Sequence, residues 1–199
     1  GTIWVDMAAC NVDVLITAPQ KGWSASPCAG LVVLNERAMK RLGETTSTSF
    51  ACDLAKWYQI MQAYEGGAHA YHATMPTDGL VKLCATMLET EAYGFQKVRD
   101  EQQALGDAVR ALLEENGFPS VAAEGFHAPG VVVSYTDDPE LQNGKKFADL
   151  GFQIAAGGPL QCDERDDYRT FRIGLFGLDK LHDVDGSVKR LAGALDKIV

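Results

Sequence analysis

Residues 78–116 read as one long helical stretch in which Leu105, Val109, Leu112 and Leu113 recur at helical spacing, with Gly79 and Gly94 as weak points and Gly117 as the C-terminal stop. An apolar stripe of this kind must be buried, so the helix lies on a core that the rest of the chain has to supply. Upstream, the β-branched residues 12–17 closed by Ala18-Pro19 predict a mostly buried strand ending at a turn, with Lys21 just beyond it. A second strand over residues 30–34 follows, and Asn35 fits the N-cap of a short helix carrying Glu36, Arg37 and Met39. A polar loop over residues 43–49 gives way to a helix-like segment at 51–61.

Downstream, residues 131–135 predict a strand, 137–144 a polar loop, 146–150 a short helix, and 152–154 and 171–176 two further strands. Asp183 is placed to cap a final helix with Val184, Val188, Leu191, Leu195 and Ile198 on one face. The order is α/β at the start and a compact α+β domain at the end, with a boundary near residues 62–78.

Composition narrows the function classes. The chain has 199 residues, 46% hydrophobic and 23% charged, which is ordinary globular usage and enough to bury a core. No stretch approaches the ~20 consecutive apolar residues of a membrane span. The net charge of −9 repels phosphate backbones, so neither nucleic acid nor a membrane is expected as a partner. Cys10, Cys28, Cys52, Cys84 and Cys162 are scattered, without a Cys-x-x-Cys pair or a histidine at ligand spacing; they read as reduced thiols of a cytoplasmic protein, and no metal site is expected. The chain opens on Gly1-Thr2-Ile3 without Met or a signal-like segment, which suggests processing or a fragment.

Two residues stand out chemically. Lys21 follows a strand inside a turn of small residues; it is either a solvated loop charge or an amine confined so that desolvation makes it a nucleophile able to form a Schiff base. Arg172 interrupts the apolar run 171–176 and is either a strand residue facing water or a bidentate clamp for a carboxylate. His69, His127 and His182 lack partners at ligand spacing, and the acidic run 163–167 reads as a solvated loop. Trp4, Trp23 and Trp57 read as packing anchors.

Three segments together resemble a known family. Residues 12–23, Val-Asp-Val-Leu-Ile-Thr-Ala-Pro-Gln-Lys-Gly-Trp, are similar to the cofactor-lysine region of the class V aminotransferases, in particular the alanine/serine–glyoxylate (serine–pyruvate) group. Ala70-Tyr71-His72-Ala73-Thr74-Met75-Pro76 is similar to that group's Tyr-His-x-Thr-x-Pro stretch, and Arg172-Ile173-Gly174-Leu175-Phe176-Gly177 to its carboxylate-binding arginine motif. The resemblance implies the end of the large domain of a type I pyridoxal-phosphate (aspartate-aminotransferase-like) fold over residues 1–70. An interdomain helix and a small α+β domain would follow over 71–199.

It also implies roles. Lys21 would hold pyridoxal 5'-phosphate and then move the substrate α-proton, Gln20 would sit beside the phosphate, Tyr71 and Thr74 would reach the phosphate of a neighbouring subunit's cofactor, and Arg172 would grip the substrate carboxylate. His72 reads as a structural hydrogen-bonding residue, and Tyr71, apart from the resemblance, as a partly buried aromatic. The substrates would be a small amino acid (alanine or serine) and a 2-oxo acid (glyoxylate or pyruvate), and the assembly a homodimer with shared sites. Family members are considerably longer, so the pyridine-nitrogen partner is expected upstream of Gly1 rather than at Asp6. The polypeptide alone is then expected to be inactive and to pair with the N-terminal part of the same enzyme. A lyase of the same fold and a non-catalytic dimerisation or regulatory module are the alternatives; a desulfurase is disfavoured because no cysteine lies in a recognisable catalytic loop.

Overall fold

In the computed structural model, which describes residues 2–199, side-chain caps start the helices where polar residues precede apolar periodicity. The first hairpin pairs β1 (Val14–Thr17) with β2 (Leu31–Leu34) in antiparallel register, Val14 opposite Leu34 and Thr17 opposite Leu31. Asn35 then caps α1 (Glu36–Gly43) by accepting from the Ala38 N–H at 2.9 Å. The same Asn35 donates to Asp13 at 2.7 Å, and Arg37 clamps the Asp13 carboxylate through Nε at 2.8 Å and Nη2. Arg37, and after it Asn35, hold the Asp13 carboxyl below its ordinary range. Asp53 caps α2 (Leu54–Glu65), and α3 (Thr77–Tyr93) follows.

β1 is not the mostly buried strand its composition suggests. Val14 is 45% and Ile16 71% exposed, and β2 is its only sheet partner among the described residues. A two-stranded ribbon buries at most one face, so the alternate apolar residues stand in solvent.

α4 (Phe95–Glu115) is separated from α3 at Gly94, whose φ of +104° is open to glycine and to few other residues. The long helix of the sequence reading is therefore two helices, broken at one of its two flagged glycines. The other, Gly79, stays inside α3, where a Cβ would come 2.6 Å from Cys28 Cβ; its small size serves a close approach rather than a break. Asn116 and Gly117 (φ +84°) end α4 at the expected place.

The second sheet has the order β3–β5–β4, antiparallel throughout, from β3 (Val131–Tyr135), β4 (Ala155–Ala156) and β5 (Thr170–Gly174). Val132 faces Ile173, and Arg172 lies between Val133 and Ala155. Short helices α5 (Pro139–Gln142), α6 (Lys145–Asp149) and α7 (Leu178–Leu181) surround it, and α8 (Val184–Leu195) starts at the Asp183 cap. One sheet face packs on Leu105, Val109 and Leu113 of α4 together with Phe147, Leu181, Leu191 and Leu195. Full burial of each such side chain contributes about 1.5–3 kcal/mol. Gly106 lets α4 approach this layer closely, since a Cβ there would meet Pro129 O at 2.7 Å.

The strand expected over residues 152–154 is displaced to Ala155–Ala156. Phe152 and Ile154 pack against the core, and the backbone reaches β5 only after them.

Two compact units result, one of residues 5–20 and 25–85, the other of residues 2–4, 21–24 and 86–199. No helix among the described residues is long and apolar enough to cross a membrane.

In the second unit, the backbone N–H groups of Cys162 and Gln161 each donate to the Glu164 carboxylate at 2.8 Å and hold its carboxyl down at about 2, against an ordinary 4.5. A carboxyl whose folded value is lowered favours the closed loop above its ordinary value and loses that preference as pH falls. Amide exchange at Gln161 and Cys162, corrected for its intrinsic rate, is expected to accelerate between pH 4.5 and about 2, as followed by NMR. Protection unchanged down to the bottom of that window would show that the carboxylate does not close the loop.

Candidate functional site

The chain leaves β1 through a turn that folds back on itself. Pro19, which is buried, accepts from the Ala25 N–H at 3.0 Å, and Lys21 O accepts from the Ser24 N–H at 2.8 Å, with Ser24 in the left-handed region at φ +53°. Lys21 sits at the outside of this turn. It is exposed rather than confined, and its amine makes no hydrogen bond or ion pair with another described residue. Gly22 borders a small cavity of about 50 Å³ with Thr90, Gln102 and Gly177. Gln20 is exposed.

Tyr71 and Thr74 lie in the segment between α2 and α3, where their hydroxyls are 3.1 Å apart. Tyr71 is 68% exposed, while His72, half-buried, turns the other way and bonds Phe50 O through Nε2 at 2.9 Å. One of the two hydroxyls donates to the other, so the exposed pair presents one free O–H group to solvent, a donor suited to an anion oxygen.

Arg172 occupies the middle strand of the second sheet. Strand alternation sends Phe171 and Ile173 into the core and Arg172 to the opposite, exposed face. Its Nε donates to Ala156 O at 2.9 Å, which fixes the guanidinium plane. The two terminal nitrogens engage no carboxylate among the described residues, whereas Arg37, Arg41, Arg165 and Arg190 each have one. A fork held by its base and open at its tips is the arrangement that accepts a carboxylate bidentately.

Of the residues singled out in the sequence, the fold brings Tyr71 and Thr74 into contact; no hydrogen bond or ion pair joins Lys21 to Arg172 among the described residues. Buried polar side chains that no sequence motif marks include Gln102 and Arg110. Gln102 donates to Pro129 O at 3.0 Å and Leu175 O at 3.2 Å, and Arg110 reaches Ser120, Gly106 O and Ala128 O at 3.3–3.4 Å. Gln102 shares the helix face of Leu105, Val109 and Leu113, and Arg110 flanks it, which is the signal the sequence offers.

No protein-family model matches the chain. It is 27% identical over 205 residues to a 2-aminoethylphosphonate–pyruvate transaminase of Klebsiella pneumoniae, covering 98% of this chain and 51% of that protein. It is 24% identical over 199 residues to a soluble hydrogenase small subunit of a Synechococcus species, covering 100% of this chain and 50% of that protein. Its fold superposes on the crystal structure of an alanine–glyoxylate aminotransferase from Nostoc with a TM-score of 0.76 at 19% identity, over 98% of this chain and 50% of that one. The chain therefore spans about half the length of the curated relatives it matches. In sequence and in fold it is similar, over nearly its whole length, to the C-terminal portion of the class V aminotransferases of the type I fold.

Proposed function

We propose that the chain is the C-terminal portion of a pyridoxal-phosphate-dependent aminotransferase that moves an amino group between a small amino acid, alanine or serine, and a 2-oxo acid, pyruvate or glyoxylate. The observation that carries this reading is the open guanidinium fork of Arg172 on a rigid central strand, within a fold shared with aminotransferases. The naming of relatives for pyruvate supports a 2-oxo acid acceptor, and it adds 2-aminoethylphosphonate as a second donor to be assayed beside alanine and serine.

The residues present suit the cofactor. Lys21 offers an amine without a partner among the described residues, and the Tyr71–Thr74 pair offers a hydroxyl donor for a phosphate oxygen of a neighbouring subunit's cofactor. Pyridoxal phosphate, when bound, supplies the electron sink for the pair of electrons left as the substrate Cα–H bond breaks. Lys21 would hold the cofactor through its amine and, once displaced by the amino substrate, its Nζ would take and carry the proton of that Cα. Arg172 holds the substrate carboxylate in two parallel N–H···O bonds and so fixes the direction of the Cα–H bond. Gln20 flanks the phosphate.

Catalysis requires the preceding part of the same enzyme, which covers the exposed Val14–Ile16 face of the first hairpin; the assembled enzyme is a cytoplasmic homodimer with shared sites. Large-domain sequence occupies residues 1–70 and the interdomain helix with the small domain residues 71–199.

Borohydride reduction in the presence of pyridoxal phosphate, followed by peptide mass spectrometry, tests the assignment of Lys21. The chain assembled with the preceding part of the protein is expected to carry a stable label on Lys21, absent in Lys21→Ala, while the chain alone is not labelled selectively. A label spread over surface lysines and unchanged by Lys21→Ala would instead support a non-catalytic interaction module.

A further inference from the structure

The segment that carries Tyr71 and Thr74 is held in an unusual way. Among the described residues, no backbone-to-backbone hydrogen bond is made by residues 69–74: the last before them is Ala68 N–H to Ala63 O, and the next is Thr77 N–H to Met75 O. A loop without such bonds keeps one conformation only where side chains hold it.

The side chain that does so is His72. Its imidazole packs against the rings of Phe50 and Trp57, with centroids 4.2 Å and 4.9 Å away, and its Nε2 bonds the Phe50 carbonyl 22 residues upstream. This platform is itself fixed. Trp57 Nε1 donates to Ala51 O at 2.8 Å, and Asp53 caps the helix on which Trp57 stands. Tyr64 adds a ring contact to His69 at 5.9 Å, one turn before the segment bends.

We propose that His72 is the positioning residue for the Tyr71–Thr74 hydroxyl pair. It anchors the loop on the Phe50–Trp57 platform so that the two hydroxyls are set 3.1 Å apart before an anion arrives. The inference rests on the reading of that pair as a phosphate contact. Its chemistry is restricted to orientation: His72 donates to a carbonyl, contacts two aromatic rings, and takes no part in proton transfer.

The test uses two variants. His72→Phe keeps the ring on the platform and loses the bond to Phe50 O; His72→Gln keeps a donor and loses the ring. In the chain itself, backbone NMR order parameters at residues 71–74 are expected to fall in both variants while those of α2 and α4 stay unchanged. In the chain assembled with the preceding part of the protein, affinity is measured for pyridoxal phosphate and for pyridoxal, which lacks the phosphate. The preference for the phosphorylated form is expected to fall about tenfold in His72→Phe, as small misplacements of a positioned group do. Affinity for pyridoxal should stay unchanged, and a Tyr71→Phe/Thr74→Val variant should lose the same preference.

Equal loss of both affinities, or unaltered order parameters at 71–74, would overturn the inference and leave His72 a packing residue. A wild-type assembly with no preference for the phosphorylated form would overturn the phosphate reading itself. A preference that survives in His72→Phe but not in Tyr71→Phe/Thr74→Val would overturn the role of His72 alone.

Discussion

Arg172→Ala in the assembled enzyme is expected to lower kcat/KM for the amino acid substrate by about 30- to 1,000-fold, the loss of roughly 2–4 kcal/mol of charge-assisted binding in the transition state. The guanidinium faces away from the core, and its two terminal nitrogens engage no carboxylate among the described residues, so its removal leaves Phe171 and Ile173 where they are. Folding stability should therefore hardly change. Arg172→Lys keeps the charge and loses the planar fork, and should recover only part of the rate. The discriminating measurement compares alanine with an amine lacking a carboxylate, such as ethylamine. The poor rate with ethylamine should be indifferent to the substitution, because there is no carboxylate for Arg172 to grip. A loss equal for both compounds would mean that Arg172 supports the sheet instead of the substrate.

Phe171→Ala should produce the largest loss of stability, about 3–5 kcal/mol by urea titration, since the vacated volume lies where the core can hardly collapse. Phe171 is fully buried in the middle strand, with the Phe118 ring edge-on at 5.4 Å and the Phe147 ring at 5.7 Å. Domains have only about 5–15 kcal/mol of net stability, so this one side chain accounts for a large share of the total. The substitution also loosens the strand next to Arg172, so binding of the amino acid should weaken with stability, unlike in Arg172→Ala. A cost below ~1 kcal/mol would show that the core around Phe171 is not packed as described.

What could be read from the residues and what could not differ in kind. Caps are local: Asn35 and Asp183 bond amides three residues on, within reach of their own side chains, and both helices begin where those residues stand. The stripe of Leu105, Val109 and Leu113 and the stop at Gly117 are likewise set by helix geometry along one segment. Gly79 and Gly94 look alike in sequence, yet one sits against Cys28 inside a helix and the other divides two helices. Glycine permits both outcomes, and the neighbours brought by the fold select between them. The apolar residues Val14 and Ile16 promise burial, but burial is a property of two surfaces, and β1 supplies only one.

The candidate site divides along the same line. Lys21, Tyr71, Thr74 and Arg172 drew notice through motif and order, since an amine after a strand end and an arginine within an apolar run are visible one residue at a time. The sequence by itself thus determined the capped starts of α1 and α8, the stop of α4 with its apolar face, and the family that three short segments resemble. The tertiary structure alone decided that Arg172 is tethered by Ala156 with its tips open, that the Tyr71 and Thr74 hydroxyls meet, and that His72 rests on Phe50 and Trp57. These depend on contacts between residues as many as 22 positions apart, which propensity and periodicity along one segment do not encode.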